Sequence, residues 1–245
     1  MARYRLASHV HVCRDEDYIV ILDLRRDRYY SFEAARTSVL APVVAGWPAV
    51  AATAADLAGS SAEVLASLAR RGWLLETSGS LEGEAADAAP IRVVPPEAEL
   101  LDPFAVPTAS LAGARISLRT ILIFVSASVF AKYALRFWPL ERVVRRVAIR
   151  KAARAGSAQT LDVGRTRQLV DTFARLRVFL FSHHERCLHD SLSLVEFLAR
   201  HDVFPSWVFG VNARPFTAHC WVQHGELVFN DSVEHSSTYT PIMAI

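Results

Sequence analysis

Within residues 1–76 the spacing of hydrophobic and polar positions changes from a strand pattern to a helical one. Residues 17–24 (DYIVILDL) are rich in β-branched and aromatic types, and RRDRYYSF follows after a turn at Arg25–Asp27, which together predict a β-hairpin. The pattern then becomes helical in EAARTSVLAPVVAG, VAATAADLAG and SAEVLASLARRG, each ended or interrupted by Gly or Pro. Trp73, Leu74 and Leu75 follow as a short strand. The pattern predicts one compact unit over 1–76.

The periodicity is lost between about Thr77 and Ala114. This stretch holds five of the eleven prolines and is typical of a linker. Beyond it we predict helices at 116–154 and 164–181, a helix over ERCLHDSLSLVEFLARHD, and strands over SWVFGVN, AHCWVQ and ELVFNDS. The order of elements indicates an α+β protein with a domain at 1–76, a linker at 77–114 and a second domain at 115–245.

The most apolar stretch is TILIFVSASVFA, residues 120–131. Twelve uncharged residues are too few to cross a bilayer, which needs about 20, so a buried helix is the better interpretation. The N-terminus MARYRLASHVHV alternates polar and apolar residues and lacks the continuous apolar core of a signal peptide. We therefore expect a cytoplasmic protein without a transmembrane segment.

Composition and charge exclude several classes of protein. Hydrophobic residues make up 52% and charged residues 21% of the chain, which is typical of a globular protein. The net charge of +2 predicts no dominant nucleic-acid or membrane surface. Residues 132–154 carry eight basic residues against Glu141. A solvated helix face explains this segment, and docking on an acidic partner is the alternative.

Three cysteines, Cys13, Cys187 and Cys220, are an odd number at distant positions, which argues against a disulfide framework and for a reducing compartment. Cys187 precedes the apolar face of its predicted helix, within the first turn. Unpaired backbone N–H groups and the helix dipole favour a thiolate there, as a nucleophile requires. The alternative is that Cys187 is a small buried hydrophobic residue.

His219 and Asp231 lie on the two arms of a predicted hairpin. Opposed residues of an antiparallel pair share a face, and their numbers have a constant sum. With a three-residue loop at 224–226 that sum is 450, which places Trp221 opposite Phe229 and His219 opposite Asp231. A two-residue loop at 224 and 225 would turn Asp231 to the other face. The hypothesis therefore predicts an odd-length loop.

Cys220 follows His219 directly, so alternation predicts that it points to the opposite face and lies in the core. His219 is therefore paired with the distant Cys187. In the order Cys187, His219, Asp231 the chain would supply a nucleophile, a general acid or base and an orienting carboxylate.

A metal site is the alternative for this region, because four potential ligands are close in sequence: His183, His184, Cys187 and His189. No second cluster of paired ligands completes a tetrahedral set, so we expect no metal and no other cofactor. Five histidines are assigned to the surface or to turns: His183, His184, His201, His224 and His235.

The run RCLHDSLSLVEFLARHDVFPSWVFGVNARPFTAHCWVQHGELVFNDS, with YTPI near the end, closely resembles the C-terminal domain of lasso-peptide biosynthesis B proteins, a transglutaminase-like cysteine peptidase family. The resemblance covers about residues 165–245 and implies a transglutaminase- or papain-like domain. It also implies that Cys187, His219 and Asp231 are the catalytic triad of a leader peptidase.

The N-terminal unit resembles, by element order, the winged-helix-like precursor-recognition domain related to the small peptide chaperone of pyrroloquinoline-quinone synthesis. In that family the leader peptide adds to the third β-strand and lies against the third helix, here about 28–32 and 62–71. The residues implied are Arg28, Tyr29, Tyr30, Ser31, Phe32, Leu65, Leu68 and Ala69. The alternative is an ordinary paired strand with Tyr29 and Phe32 in the core.

The combined resemblance implies an enzyme that binds the leader of a lasso-peptide precursor, cleaves the leader–core junction and passes the core to an ATP-dependent, asparagine-synthetase-like cyclase. Neither a cofactor nor a nucleic acid is implied. Two alternatives stay open: an acyltransferase of transglutaminase type, and a leader-binding scaffold without catalysis.

Overall fold

The computed structural model describes residues 4–49, 61–77, 116–154, 162–178 and 187–245. They form two compact units. The first contains the described residues within Met1–Arg92 together with Val211–Thr217 and Thr240–Met243. The second contains those within Val93–Gly210, Ala218–Tyr239 and Ala244–Ile245. Of the predicted linker only Thr77 is described, and the helix predicted at 50–59 lies outside the described residues.

Two small sheets organise the first unit. Their strands are β1 (Tyr4–Leu6), β2 (Val10–Asp15), β3 (Tyr18–Asp23), β4 (Arg28–Glu33), β5 (Val44–Ala45) and β6 (Leu74–Glu76). One sheet has the order β5-β1-β6, and the other is antiparallel with the order β2-β3-β4. The pairing of β3 with β4 confirms the predicted hairpin. Its turn is held by Asp23, which accepts hydrogen bonds from Arg26 Nη1 at 2.6 Å and from Trp73 Nε1 at 2.8 Å.

The first helix of this unit is shorter than predicted. Helix α1 (Ala34–Thr37) continues only as a 3₁₀ turn at Ser38–Leu40, whereas a helix was predicted up to Gly46. That prediction was wrong because Val44–Ala45 pairs in parallel with β1, a long-range contact that outweighs local helix propensity. Helix α2 (Ser61–Arg70) confirms the third predicted helix.

Four helices form the first part of the second unit: α3 (Leu118–Phe137), α4 (Leu140–Ala152), α5 (Val163–Arg177) and α6 (Cys187–Ala199). The Ser117 side chain caps α3 by accepting from Thr120 N, and Asp162 caps α5 by accepting from Arg165 N at 3.0 Å. Pro139 separates α3 from α4, because its ring cannot continue a helix. The helices predicted in this region are confirmed within the described residues, and their predicted parts at 179–181 and 185–186 lie outside them.

Helix α3 differs from the expectation of a buried helix at 120–131. Within the described part of the chain it is the one helix long and apolar enough to cross a membrane, and 28% of its most apolar window is buried. Its buried side consists of small residues and Phe124. Its exposed side carries Leu118, Leu122, Val125, Val129, Tyr133 and Phe137. The expectation was wrong for this second face.

Helix α6 is buried on nearly all sides. His189 Nε2 lies 3.2 Å from the Ser128 carbonyl oxygen on α3, and the Phe197 ring lies 5.6 Å from that of Phe173 on α5. On another side the Ser191 hydroxyl donates to the Cys220 carbonyl at 2.9 Å. The buried residues of α6 include the polar His189, Ser191, Ser193 and Glu196 besides its apolar side chains, so the fold encloses the helix. Its first residue, Cys187, is thus held by a rigid element.

The remaining elements form a four-stranded sheet with a short helix. They are β7 (Ser206–Ala213), β8 (Phe216–His224), β9 (Leu227–Val228), α7 (Val233–Ser236) and β10 (Thr240–Ala244). The sheet order is β10-β7-β8-β9. Helices packed with antiparallel strands confirm the α+β class.

The hairpin register differs from the prediction. Gln223 pairs with Val228 and His224 with Leu227, so the loop has two residues and the constant sum is 451 instead of 450. The prediction of an odd-length loop was wrong, as was the placement of Trp221 opposite Phe229. Gly225 adopts a φ of +56°, which suits a tight two-residue hairpin turn that the sequence argument did not consider at this position.

Candidate active site

His219 and Asp231 meet despite the altered register. The antiparallel pairing of β8 with β9 ends at the hydrogen bond from Phe229 N to Val222 O. Next, the Asn230 side chain takes the place of a backbone partner, accepting from Val222 N at 2.7 Å. The chain bends away here, which brings Asp231 Oδ2 to 2.7 Å from His219 Nε2. The predicted contact forms through a bend and not through strand pairing.

A second histidine shares the same carboxylate. His235 Nδ1, on α7, lies 3.0 Å from Asp231 Oδ1 and 2.9 Å from Oδ2. Asp231 Oδ1 also accepts from Ser232 N at 2.8 Å, which fixes the carboxylate. His235 was predicted to lie at the surface or in a turn, and its side chain is indeed 51% exposed. Its spacing of four from Asp231 was the signal that could have revealed the contact.

Cys187 is the first residue of α6 and is partly exposed. A hydrogen bond from the Cys220 thiol contributes most to lowering the pKa of Cys187 to about 4. Burial opposes this change, whereas the hydrogen bond and positive charge of His219 and the backbone N–H of Cys220 support it. The positive end of the helix dipole acts in the same direction. The thiol is therefore ionised at neutral pH.

His219 carries the complementary charge. Burial by itself would lower the pKa of its imidazole, but hydrogen bonds to Asp231 and Cys187 and the negative charges of both raise it to about 9. Burial would raise the pKa of Asp231, and hydrogen bonds from His219 and His235 instead lower it. Because Nε2 faces Asp231, the other ring nitrogen, Nδ1, is the one that can serve Cys187. A thiolate and an imidazolium result.

Cys220 has a different position from the one predicted. It is 2% exposed, which confirms a core residue, but its thiol and backbone N–H both contact Cys187, so the prediction that it lies apart from the site was wrong. Alternation along β8 separates the side chains of His219 and Cys220 but does not say which of them the start of α6 contacts. Burial, followed by the Cys187 charge, raises the pKa of Cys220 well above its usual range. The negative charge therefore resides on Cys187.

Aromatic rings hold the His219 imidazole. The Trp221 ring lies nearly parallel to it at 6.1 Å, and the Tyr239 ring lies 5.2 Å away. Gly210 makes room for both, since a Cβ at this position would lie 2.7 Å from Trp221 Cζ3 and 2.8 Å from Tyr239 Cβ. Trp221 Nε1 in turn donates to Gln223 Oε1 at 2.6 Å. Sequence reasoning missed this ring support.

A match to a known protein family agrees with this arrangement of side chains. Residues 127–244 match the family model described as the transglutaminase-like superfamily. This part of the chain is a transglutaminase-like domain. The superfamily includes cysteine peptidases and acyltransferases. No curated protein and no solved structure is significantly similar to the chain. Cys187, His219 and Asp231 all lie within the transglutaminase-like domain.

The metal ligands considered from sequence are only partly described. His183 and His184 lie outside the described residues. A different group of donor atoms is close together in the transglutaminase-like domain: one atom each from His219, Asp231 and His235, all within 4.8 Å of one another.

The residues expected to bind a leader lie in the first unit, on β4 and α2. Arg28, Ser31 and Ala69 are exposed, and Tyr29, Tyr30, Phe32 and Leu65 are partly buried. Leu68 is 5% exposed and belongs to the hydrophobic core, so its side chain packs α2 against the rest of the first unit. Tyr30 packs on Trp73 with ring centroids 4.7 Å apart, and Phe32 also packs against the core.

Proposed function

We propose that this chain is a cysteine peptidase that removes the leader of a ribosomally made lasso-peptide precursor. The observation that carries the proposal is the continuous series of contacts from Cys187 through His219 to Asp231 in a transglutaminase-like domain. Nucleophile, acid–base group and orienting group stand in the order that thiol peptidases require.

The proposed reaction begins with attack of the Cys187 thiolate on the carbonyl carbon at the leader–core junction. A bond forms between sulfur and carbon, and the carbonyl oxygen becomes an oxyanion, with the Cys187 backbone N–H as one donor. The imidazolium of His219 gives its proton to the departing amine as the C–N bond breaks. The neutral ring then takes a proton from water, which attacks the thioester and releases a leader ending in a free carboxylate.

Asp231 has an orienting role in this scheme. Its hydrogen bond to Nε2 at 2.7 Å keeps the ring turned so that Nδ1 faces the sulfur. Its negative charge stabilises the imidazolium. Because the ring is also supported by Trp221 and Tyr239, the catalytic geometry is largely formed before substrate binds.

We further propose that the leader adds to β4, the outer strand of the described sheet with order β2-β3-β4. The hydrogen bond from Ala34 N to Asp17 O marks an inward-facing pair in the β3–β4 register. Alternation then turns the backbone of Phe32 and Tyr30 toward β3 and that of Ser31 away from it. Outward N–H and C=O groups on an edge strand are what an added peptide strand uses.

Carrying both functions on one chain would make cleavage intramolecular. A leader held by the first unit presents its junction to the thiolate at an effective concentration on the order of mM. The released amine of the core would then be the substrate of a separate ATP-dependent cyclase. This partner is part of the proposal and follows from the resemblance to lasso-peptide B proteins.

The experiment is to incubate the protein with a precursor encoded by a neighbouring short reading frame, consisting of a leader and a core that starts with Gly, Ala or Ser. Mass spectrometry distinguishes the outcomes. Peptidase activity yields a leader with a free carboxylate. Transfer of the acyl group to an added amine yields the corresponding amide and would favour an acyltransferase. An unchanged precursor that still binds would favour a scaffold.

A further inference from the structure

We propose that Asp231, His219 and His235 form a zinc-binding site, and that zinc bound there switches off the Cys187 centre. The binding step stands on the geometry of the three side chains alone. The inhibition step rests on the proposed function.

One donor atom from each of the three side chains lies within 4.8 Å of the other two. Asp231 Oδ2 lies 2.7 Å from His219 Nε2 and 2.9 Å from His235 Nδ1. Zinc bonds to nitrogen and oxygen at about 2.0–2.2 Å, so tetrahedral ligand atoms are about 3.3 Å apart. To reach this spacing, Asp231 Oδ2 would have to move away from the two nitrogens by about 0.4–0.6 Å, and the nitrogens would have to settle about 3.3 Å apart. Two imidazoles and one carboxylate are a donor set that suits zinc.

Neighbouring groups fix the positions of the three proposed ligand side chains. Ser232 N donates to Asp231 Oδ1 at 2.8 Å, and the Ser232 hydroxyl accepts from His235 N at 3.1 Å, which fixes the first turn of α7. The Tyr239 ring stands edge-on to His235 at 5.4 Å. His219 also forms a hydrogen bond with Cys187, and because Nε2 faces Asp231 we assign this bond to Nδ1. An acceptor behind a ligating histidine is the usual support of a metal ligand.

The site can exchange an ion with solvent. The Asp231 and His219 side chains are 10% and 16% exposed, whereas His235 is half exposed and lies at the surface. Three protein ligands leave a fourth position for water, as in zinc sites that are not closed. The exposed His235 gives the ion a direct route between solvent and the other two ligands.

Zinc would compete with catalysis for the same atoms. With the ion on Nε2, His219 could no longer donate to Asp231, and the imidazole would be held in one state with its hydrogen on Nδ1. The ring could then neither accept a proton from water nor change its protonation state during the cycle. His235 thus supplies the ligand that turns the orienting carboxylate into an inhibitory site.

The test uses the full chain carrying Cys187→Ala, so that the thiolate cannot bind metal. Zinc chloride is titrated calorimetrically, and cobalt chloride is titrated in parallel with its visible absorption as a second signal. We expect one saturable site, which His235→Ala weakens at least tenfold. His224→Ala, which removes a histidine outside the cluster, should leave the affinity unchanged. Circular dichroism of each variant checks that the fold is retained.

Absence of saturable binding in Cys187→Ala, or an equal affinity with and without His235 in a folded variant, would overturn the zinc site. Once turnover is established with a precursor, zinc should inhibit the wild type and inhibit His235→Ala at least tenfold less strongly. A protein that binds zinc through His235 but cleaves no precursor would refute the peptidase proposal and leave the metal site standing.

Discussion

His219 and Asp231 are not paired across the hairpin, yet their side chains form a 2.7 Å hydrogen bond. The contact depends on the bend that follows β9, where Asn230 takes over the backbone amide of Val222 at 2.7 Å. Asp231 is thereby placed by a loop, and His219 by a strand that runs through the core.

Asp231→Asn should lower kcat/KM by about 10²- to 10⁴-fold, because the amide keeps the shape of the side chain but removes the charge that supports the imidazolium. It should also lower stability at neutral pH, because the lowered pKa of Asp231 shows that the ionised carboxylate stabilises the fold. Steady-state cleavage and a thermal melt measure the two effects. Asp202→Asn is the matched control, since Asp202 forms an exposed ion pair with Arg154 at 3.1 Å. Full activity of Asp231→Asn would refute the orienting role.

Alkylation of Cys187 by iodoacetamide should increase as pH rises through about 4, where the thiolate forms, and should already be fast at pH 6. Cleavage should decline as pH rises through about 9, because His219 then loses the proton that the leaving amine needs. Peptide mapping gives the alkylation rate at each cysteine.

Cys13 is the internal standard for that experiment. Burial, followed by the charge of Asp15, raises its pKa to about 12, so it should stay unmodified at pH 6. Equal rates at Cys13 and Cys187, or a Cys187 midpoint near that of an ordinary thiol, would show that no thiolate–imidazolium pair exists.

Gly210→Ala should destabilise the protein by about 1–3 kcal/mol and reduce cleavage, because the new Cβ overlaps Trp221 and Tyr239, the rings that hold His219. Chemical denaturation measures the change in the free energy of unfolding. In Gly164→Ala the added Cβ meets only Asp162 Oδ1 at 3.5 Å, so that variant of α5 should be unchanged or more stable. Wild-type stability of Gly210→Ala would contradict the close packing.

Ser31→Pro should weaken leader binding at least fivefold, because proline removes an outward backbone donor of β4. The β3–β4 ladder should survive, since the Ser31 backbone faces away from β3. Fluorescence anisotropy with a labelled leader peptide gives the Kd. Ser31→Ala keeps the backbone donor and should bind as the wild type does, so equal loss in both variants would place the leader elsewhere.

Local patterns predicted the elements whose structure depends on nearby residues. The β3–β4 hairpin and the helices α2, α5 and α6 follow from alternation, spacing and capping along a single stretch of chain. The three-residue strand β1 and two-residue β5 are too short to show a period and form only because distant segments pair. A helix was therefore predicted at Val44, which instead lies in the strand β5.

The candidate site likewise has features that follow from local sequence and features that depend on long-range packing. The start of α6 and the candidate residues Cys187, His219 and Asp231 follow from the sequence, and the resemblance to lasso-peptide B proteins implies the same three residues. The contact of Cys187 with Cys220 did not, because strand alternation orders residues within β8 but does not locate a neighbouring helix. The ring support from Tyr239 and the role of Gly210 depend on packing across the fold, which one-dimensional periodicity does not encode.

The central claim is that the Cys187 sulfur breaks the bond between leader and core. Its most direct test is the mass of a precursor incubated with the wild type or with Cys187→Ala, in water enriched in ¹⁸O. We expect the wild type to release a leader with ¹⁸O in its new carboxylate, and the variant to bind the leader with unchanged Kd but leave the precursor intact. Cleavage at an undiminished rate by Cys187→Ala would contradict the claim.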